Sequence, residues 1–228
     1  MKKSQNNITD NEAMVPHIKR RSKEQRKIKI PVLNFLLVLF CVFILICSTF
    51  IQLDITHPII PNLFSGKHLV KSDFFYTYSI IPQVPAVLFI IGLLGRKMGL
   101  TSIILYILLG LFALPIFALG GGFSYITEPS FGYILAYIPA GYFAGSVIKE
   151  EFSIINILKA GIIGVLIIHI TGIIYMLCVA LFKENGWAFI KGWILTQSML
   201  KFAYDYILSI IALFVAKYGN KFVKYLIG

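Results

Sequence analysis

Charge is scarce in this chain. Only 14% of its 228 residues are Asp, Glu, Lys or Arg, against about a quarter in soluble domains. The charges sit in short clusters between long apolar runs. That excludes an ordinary soluble domain and leaves an integral membrane protein with one helical domain. Acidic residues are the scarcer sign, 10 against 21 Lys plus Arg. The basic excess lies mostly in the N-terminal tail and in loops of one side, a placement that orients a membrane protein and argues against nucleic-acid binding. The three cysteines, Cys41, Cys47 and Cys178, all fall in apolar runs. An odd count without metal-ligand spacing gives no disulfide framework or zinc site, so they read as small packing residues. The phosphate-loop pattern GxxxxGK followed by Ser or Thr is absent, and so are HExxH, GxSxG and paired intramembrane carboxylates. These absences argue against nucleotide hydrolysis and against a membrane enzyme; no cofactor and no metal is expected.

What the chain has is membrane-length apolar runs. The fold class expected is all-α, a multi-pass cell-membrane protein with six transmembrane helices over residues 32–53, 80–95, 100–119, 131–148, 154–182 and 193–217. Residues 1–29 form a basic cytoplasmic tail, expected to be disordered because it cannot bury a core. The first apolar run spans a bilayer and no clear small-x-small cleavage site follows, so an uncleaved helix is favoured over a signal peptide. Asp54–Ser79 is read as a loop, with His57-Pro58, Pro61-Asn62 and Ser65-Gly66 as breakers and an aromatic close, Phe74 to Tyr78, suited to the membrane–water interface. Arg96, Lys97, Lys149, Lys159, Lys217, Lys221 and Lys224 then share the side of the N-terminal tail. Lys67, Lys71, Lys183 and Lys191 share the other. Both termini are therefore placed in the cytoplasm.

The most informative stretch is Ile80–Lys149. It is broken by a short basic turn, Gly95-Arg96-Lys97-Met98-Gly99, and by a glycine-rich aromatic one, Gly120-Gly121-Gly122 through Glu128-Pro129-Ser130. Irregular backbone of the second kind is tolerated at membrane depth only under a cover of protein or around a polar cavity. Between Phe131 and Ile148, small residues at intervals of three and four suit close helix packing, read here as internal. His169 lies mid-span in the fifth run, where an ionisable group is a functional candidate; a neutral histidine bonded to a neighbouring helix is the favoured reading. Lys201 lies about two turns into the sixth run and needs a partner there. Asp205, four residues on, is one such partner within the helix.

Leu93-Leu94-Gly95, Lys97, Gly99, Gly110, Leu114-Pro115, Gly120 to Gly122, Pro129-Ser130 and Gly132-Tyr133, in this order and spacing, resemble the BioY family, the biotin-binding S components of energy-coupling-factor importers. The likeness runs from about Ile80 to Ser146, with a weaker echo near the C-terminus. It implies a vitamin-binding transport subunit for biotin. It also implies partners: a transmembrane coupling subunit and two cytoplasmic ATPase subunits, in a lipid bilayer. Lipoate or another carboxylated sulfur heterocycle is the alternative ligand, and a self-sufficient carrier the alternative mode of action.

The resemblance also points to site residues. The family motif PGDxxK is met by Thr196-Gln197-Ser198-Met199-Leu200-Lys201. The lysine is kept, Ser198 stands where the aspartate is expected, and Pro-Gly is missing. Lys201 is thereby implied as partner of a ligand carboxylate or ureido oxygen. Gln83, twelve residues before Gly95, matches a family glutamine; its amide either bonds the ligand or satisfies backbone freed by Pro82 and Pro85. The glycine loop lacks the asparagine and arginine common in the family. Gly121 and Gly122 remain as backbone contacts, and Tyr125, Tyr133, Gln83, Gln197 or Glu128 as replacements for the lost polar groups.

Overall fold

The computed structural model describes residues 15–58 and 74–227. Its elements are α1 (Val15–Phe50), β1 (Leu53–Pro58), β2 (Phe75–Ile80), α2 (Gln83–Phe112), a 3-10 turn (Phe123–Thr127), α3 (Phe131–Glu150), α4 (Ile154–Phe182), α5 (Trp187–Ile194), a π-helical turn (Leu195–Met199) and α6 (Leu200–Ile227). Among the described residues, five helices are long and apolar enough to cross a membrane: Val32–Phe50, Gln83–Phe112, Phe131–Lys149, Ile154–Phe182 and Trp187–Leu226. The chain is thus a predominantly helical, polytopic membrane protein. In hydrocarbon a backbone must bond to itself, and the helix does that within one segment.

α2 is bent back on itself at Gly95, whose φ of 77° and ψ of 171° are not helical. That region is essentially reserved for glycine. A Cβ on Gly99 would sit 3.1 Å from the Cα of Ile91, whereas residues eight apart in a straight helix are about 12 Å apart along the axis. The side chains of Gln83 and Tyr106 meet at 2.7 Å, where an unbroken helix would separate them by about 35 Å. Residues 83–94 and 96–112 are therefore two arms lying against each other, as the two separate runs 80–95 and 100–119 anticipate.

Small residues bring the other helices together. Ala136, Ala140 and Ala144 of α3 and Ala160 of α4 have no exposed surface, and α3 packs along α4. A Cβ on Gly172 of α4 would lie 2.5 Å from the Tyr133 ring of α3. The small residues of α3 thus serve internal packing. α2 packs on α6, α3 and α1. Phe35, Phe43, Leu108, Ile170, Ile174 and Ile211 are exposed on the outside, which suits lipid contact. Cys41 is buried, and Cys47 and Cys178 are exposed; all three are free.

Several expectations are corrected. The fold is not purely helical: β1 and β2 pair antiparallel with Leu53 opposite Ile80 and Asp54 opposite Ser79, where a loop was expected. The Ser79 hydroxyl donates to Asp54, and Thr56 bonds Thr77 at 2.9 Å. Such cross-strand pairs are what stabilise a short ribbon. The breakers Pro61-Asn62 and Ser65-Gly66, with Lys67 and Lys71, lie outside the described residues. The 32–53 run ends its helix at Phe50, and that helix begins at Val15, so residues 15–29 of the tail expected to be disordered are helical. The 100–119 run ends at Phe112, because Pro115 disfavours helical geometry at the residue before it and Phe117 turns back over Gly110. The last run is longer than 193–217, extending from Trp187 through the π-turn to Ile227.

Candidate ligand cavity

The loop between α2 and α3 closes over the bundle. Gly122 N–H donates to Gly110 O at 2.8 Å, and Gly121 lies so close to Gly110 O and Leu114 O that a Cβ would come within 2.8 Å of both. Phe117, Tyr125 and Phe131 then stack as an aromatic plug, with ring centroids 4.7–6.3 Å apart. This covered, irregular backbone is of the kind membranes tolerate.

Beneath it lies a cavity of about 350 Å³, in the size range of small-molecule pockets, roughly 300–1,000 Å³. Gln83, Tyr125, Tyr133, Gln197 and Lys201 line it, so five residues proposed from sequence converge. Ser198 stands just behind, its Oγ 2.7 Å from the Tyr133 hydroxyl. Gly121 and Gly122 do not line this cavity; they shape the loop, and Gly121 borders a separate shallow one beside Glu128. Glu128 itself pairs with Lys183 at 3.3 Å, both half exposed. Ser130, Tyr137, His169, Trp193 and Asp205 complete the polar lining. Of these, Tyr137 and Trp193 carried no signal beyond being aromatic.

Gln83 is held by side chains and not by the backbone. Its Nε2 donates to Thr49 Oγ1 and to Tyr106 OH, both at 2.7 Å, while Tyr137 OH donates to its Oε1 at 2.8 Å. Tyr106 OH also reaches Ile116 O at 3.4 Å. One amide thereby ties α1, both arms of α2, α3 and the capping loop together. Both of its N–H groups are used, which leaves only a carbonyl lone pair for any ligand.

The π-turn over Leu195–Met199 adds one residue to a helical turn, a device frequent at functional sites. Gln197, Lys201 and Asp205 follow at intervals of four and share one face. Lys201 has no ion-pair partner among the described residues, and the alternative pair with Asp205 is not formed. Asp205 Oδ2 instead accepts from His169 Nε2 of α4 at 3.2 Å. His169 is thus bonded to a neighbouring helix, as the sequence suggested. Asp205 is fully buried, and its Oδ1 has no partner among the described residues. In the loop above, Ser130 Oγ donates to Tyr125 OH at 3.2 Å. Burial pushes the Tyr125 phenol above its ordinary value, so it faces the cavity as a neutral hydroxyl. Among the described residues the lining thus offers one cation without an ion-pair partner, neutral hydroxyl and amide groups, and apolar walls.

Comparison with known proteins fits this picture. The BioY family pattern matches residues 22–225. A "Probable biotin transporter BioY" of Lysinibacillus sphaericus is 34% identical over 127 residues, covering 50% of this chain and 65% of the relative. The "Biotin transporter BioY" of Thermotoga maritima is 32% identical over 81 residues, covering 35% of this chain and 48% of the relative. A probable biotin transporter of Pyrococcus horikoshii is 42% identical over 69 residues, covering 28% and 43%. The matched stretches thus span less than two thirds of each relative's length. The crystal structure of the S-component for biotin from an ECF-type ABC transporter has the same fold, with a TM-score of 0.57 at 18% identity, over 86% of this chain and 93% of that one. With nearly all of its helical region matched by the family pattern, the chain belongs to the BioY family.

Proposed function

We propose that this chain is the substrate-binding membrane subunit of a vitamin importer and that its ligand is biotin. The observation that carries the reading is Lys201, a half-buried ammonium on the wall of a roofed cavity with no carboxylate partner among the described residues. A cation at membrane depth is costly without a counter-charge, and a ligand carboxylate supplies one. The apolar walls suit a bicyclic head and an aliphatic tail. The tyrosine hydroxyls and Gln197 offer hydrogen bonds to a ureido group. Gln83, its donors already engaged, is assigned to holding the walls.

The topology proposed is six crossings with both termini in the cytoplasm, the Gly95 hairpin counting as two. In support, Arg96, Lys149 and Lys224 gather round one cavity of about 220 Å³ at one end of the bundle, the concentration of basic residues usual on the cytoplasmic side. The ligand cavity then opens toward the outer face. The transmembrane coupling subunit and the two ATPase subunits are proposed partners, consistent with the neighbouring structure's origin in an ECF-type transporter and with the lack of a phosphate loop here.

Native mass spectrometry and labelled-ligand binding on the detergent-solubilised chain, without ATP, test the reading. Saturable biotin binding is expected. Binding of lipoate without biotin would move the protein to the other carboxylated heterocycle, and transport by the purified chain alone in liposomes would make it a self-sufficient carrier.

A further inference from the structure

Lys201 and Asp205 stand four apart on α6, the spacing at which opposite charges on a helix meet. Both line the ligand cavity, yet no ion pair joins them. Asp205 is turned to α4, where His169 Nε2 donates to its Oδ2 at 3.2 Å. The imidazole is fixed in turn by the rings of Tyr133 and Phe202, with centroids 6.0 and 5.5 Å away. Asp205 has no exposed surface, and its free Oδ1 is sealed as well. Asp205 thus borders the cavity with no accessible surface of its carboxylate open to it.

We infer that His169 is a positioning residue: by occupying Asp205 it keeps the Lys201 ammonium free for the ligand's anionic group. Away from bulk water, attraction between an ammonium and a neighbouring carboxylate is strong. Without His169, Asp205 would turn to Lys201 and close the pair inside the helix. An incoming carboxylate would then have to displace Asp205, or share one cation with it against like-charge repulsion. The inference rests on the ligand reading above for the identity of the anion, and on geometry alone for the competition between His169 and Lys201.

Two readouts on the full chain in detergent separate these layers. In the first, which needs no ligand, lysines are reductively methylated with ¹³C, and the Lys201 signal is assigned as the one lost in Lys201→Arg. His169→Phe is expected to shift that signal, His169→Phe with Asp205→Asn to return it, and His169→Gln, which keeps a donor toward Asp205, to leave it in place. In the second, biotin affinity is expected to fall about tenfold or more in His169→Phe and to recover within about threefold in the double variant, while biotin amide, lacking the anion, changes by no more than about twofold. An unmoved Lys201 signal in His169→Phe, or a moved one in His169→Gln, overturns the inference. So does Asp205→Asn alone if it weakens biotin as much as His169→Phe, since that would place Asp205 against the ligand. If His169→Phe does not yield folded protein, the Gln variant and Asp205→Asn still decide. A shifted signal in a protein that binds no biotin would uphold the positioning role and remove the ligand reading.

Discussion

His169 Nε2 on α4 donates to Asp205 Oδ2 on α6 across 3.2 Å, and one turn back on α6 Lys201 is left without a partner carboxylate among the described residues. The two facts belong together. The fold turns Asp205 Oδ2 to the histidine and leaves Oδ1 buried, without a partner among the described residues. The cavity consequently presents an ammonium without an ion-pair partner among the described residues to whatever enters it.

The Gln83 network yields a prediction about stability. Gln83→Leu removes the partner of three buried hydroxyls, Thr49, Tyr106 and Tyr137. Leaving one such group unsatisfied costs about 1–3 kcal/mol, and each kcal/mol lowers the melting temperature by roughly 2–4 °C in a chain of this size. Thermal unfolding in detergent is expected to show that loss. The folded fraction should keep most of its biotin affinity, because neither amide N–H is available to the ligand in the native protein.

Gly95 gives a second. Nothing lies within 4 Å of where its Cβ would be, so Gly95→Ala meets no clash, only a φ of +77°. Holding an alanine in that region costs about 1–3 kcal/mol. Gly192→Ala is the control, also in open space but at an ordinary helical φ in α5; there alanine is favoured over glycine by about 0.5–1 kcal/mol. Melting temperatures of the two variants should move in opposite directions.

The topology gives a third. In a chain freed of its three native cysteines, Ser124→Cys on the exposed part of the capping loop should react with an impermeant maleimide on intact cells. Lys97→Cys, exposed at the Gly95 hairpin, should react only after permeabilisation. Reversed labelling would put the ligand cavity on the cytoplasmic face.

Legibility in the sequence followed the range of the interactions. α4 was readable to the residue, Ile154–Phe182, because an unbroken apolar run begins at Ser153, whose hydroxyl caps the helix by accepting from Asn156 N–H at 3.2 Å. The Gly95 turn was readable because glycine and two charges interrupt an apolar stretch. Residues 113–119 were not: Ala113-Leu114-Pro115-Ile116-Phe117 is as apolar as a span, and its departure from the helix depends on Phe117 finding Gly110. The β1–β2 ribbon was hidden because its pairing spans the whole first loop. Gln83, Tyr133, Gln197 and Lys201, singled out beside the family resemblance, lie on the cavity wall. The local rule also matched Lys201 with Asp205, and a histidine 36 residues upstream of that aspartate overrode it. Such a contact has no signature in spacing.

The central claim, that Lys201 holds the carboxylate of biotin in this cavity, is tested most directly by titrating biotin and biotin amide into the native chain and into Lys201→Met. Methionine keeps much of the aliphatic volume and removes the ammonium. A hydrogen bond to a charged group contributes about 1.5–3 kcal/mol, so biotin should bind the variant roughly ten- to a hundredfold more weakly. The amide should bind the native chain less tightly than biotin does and lose little further in the variant. Equal biotin affinity in the native and Lys201→Met proteins would contradict the account.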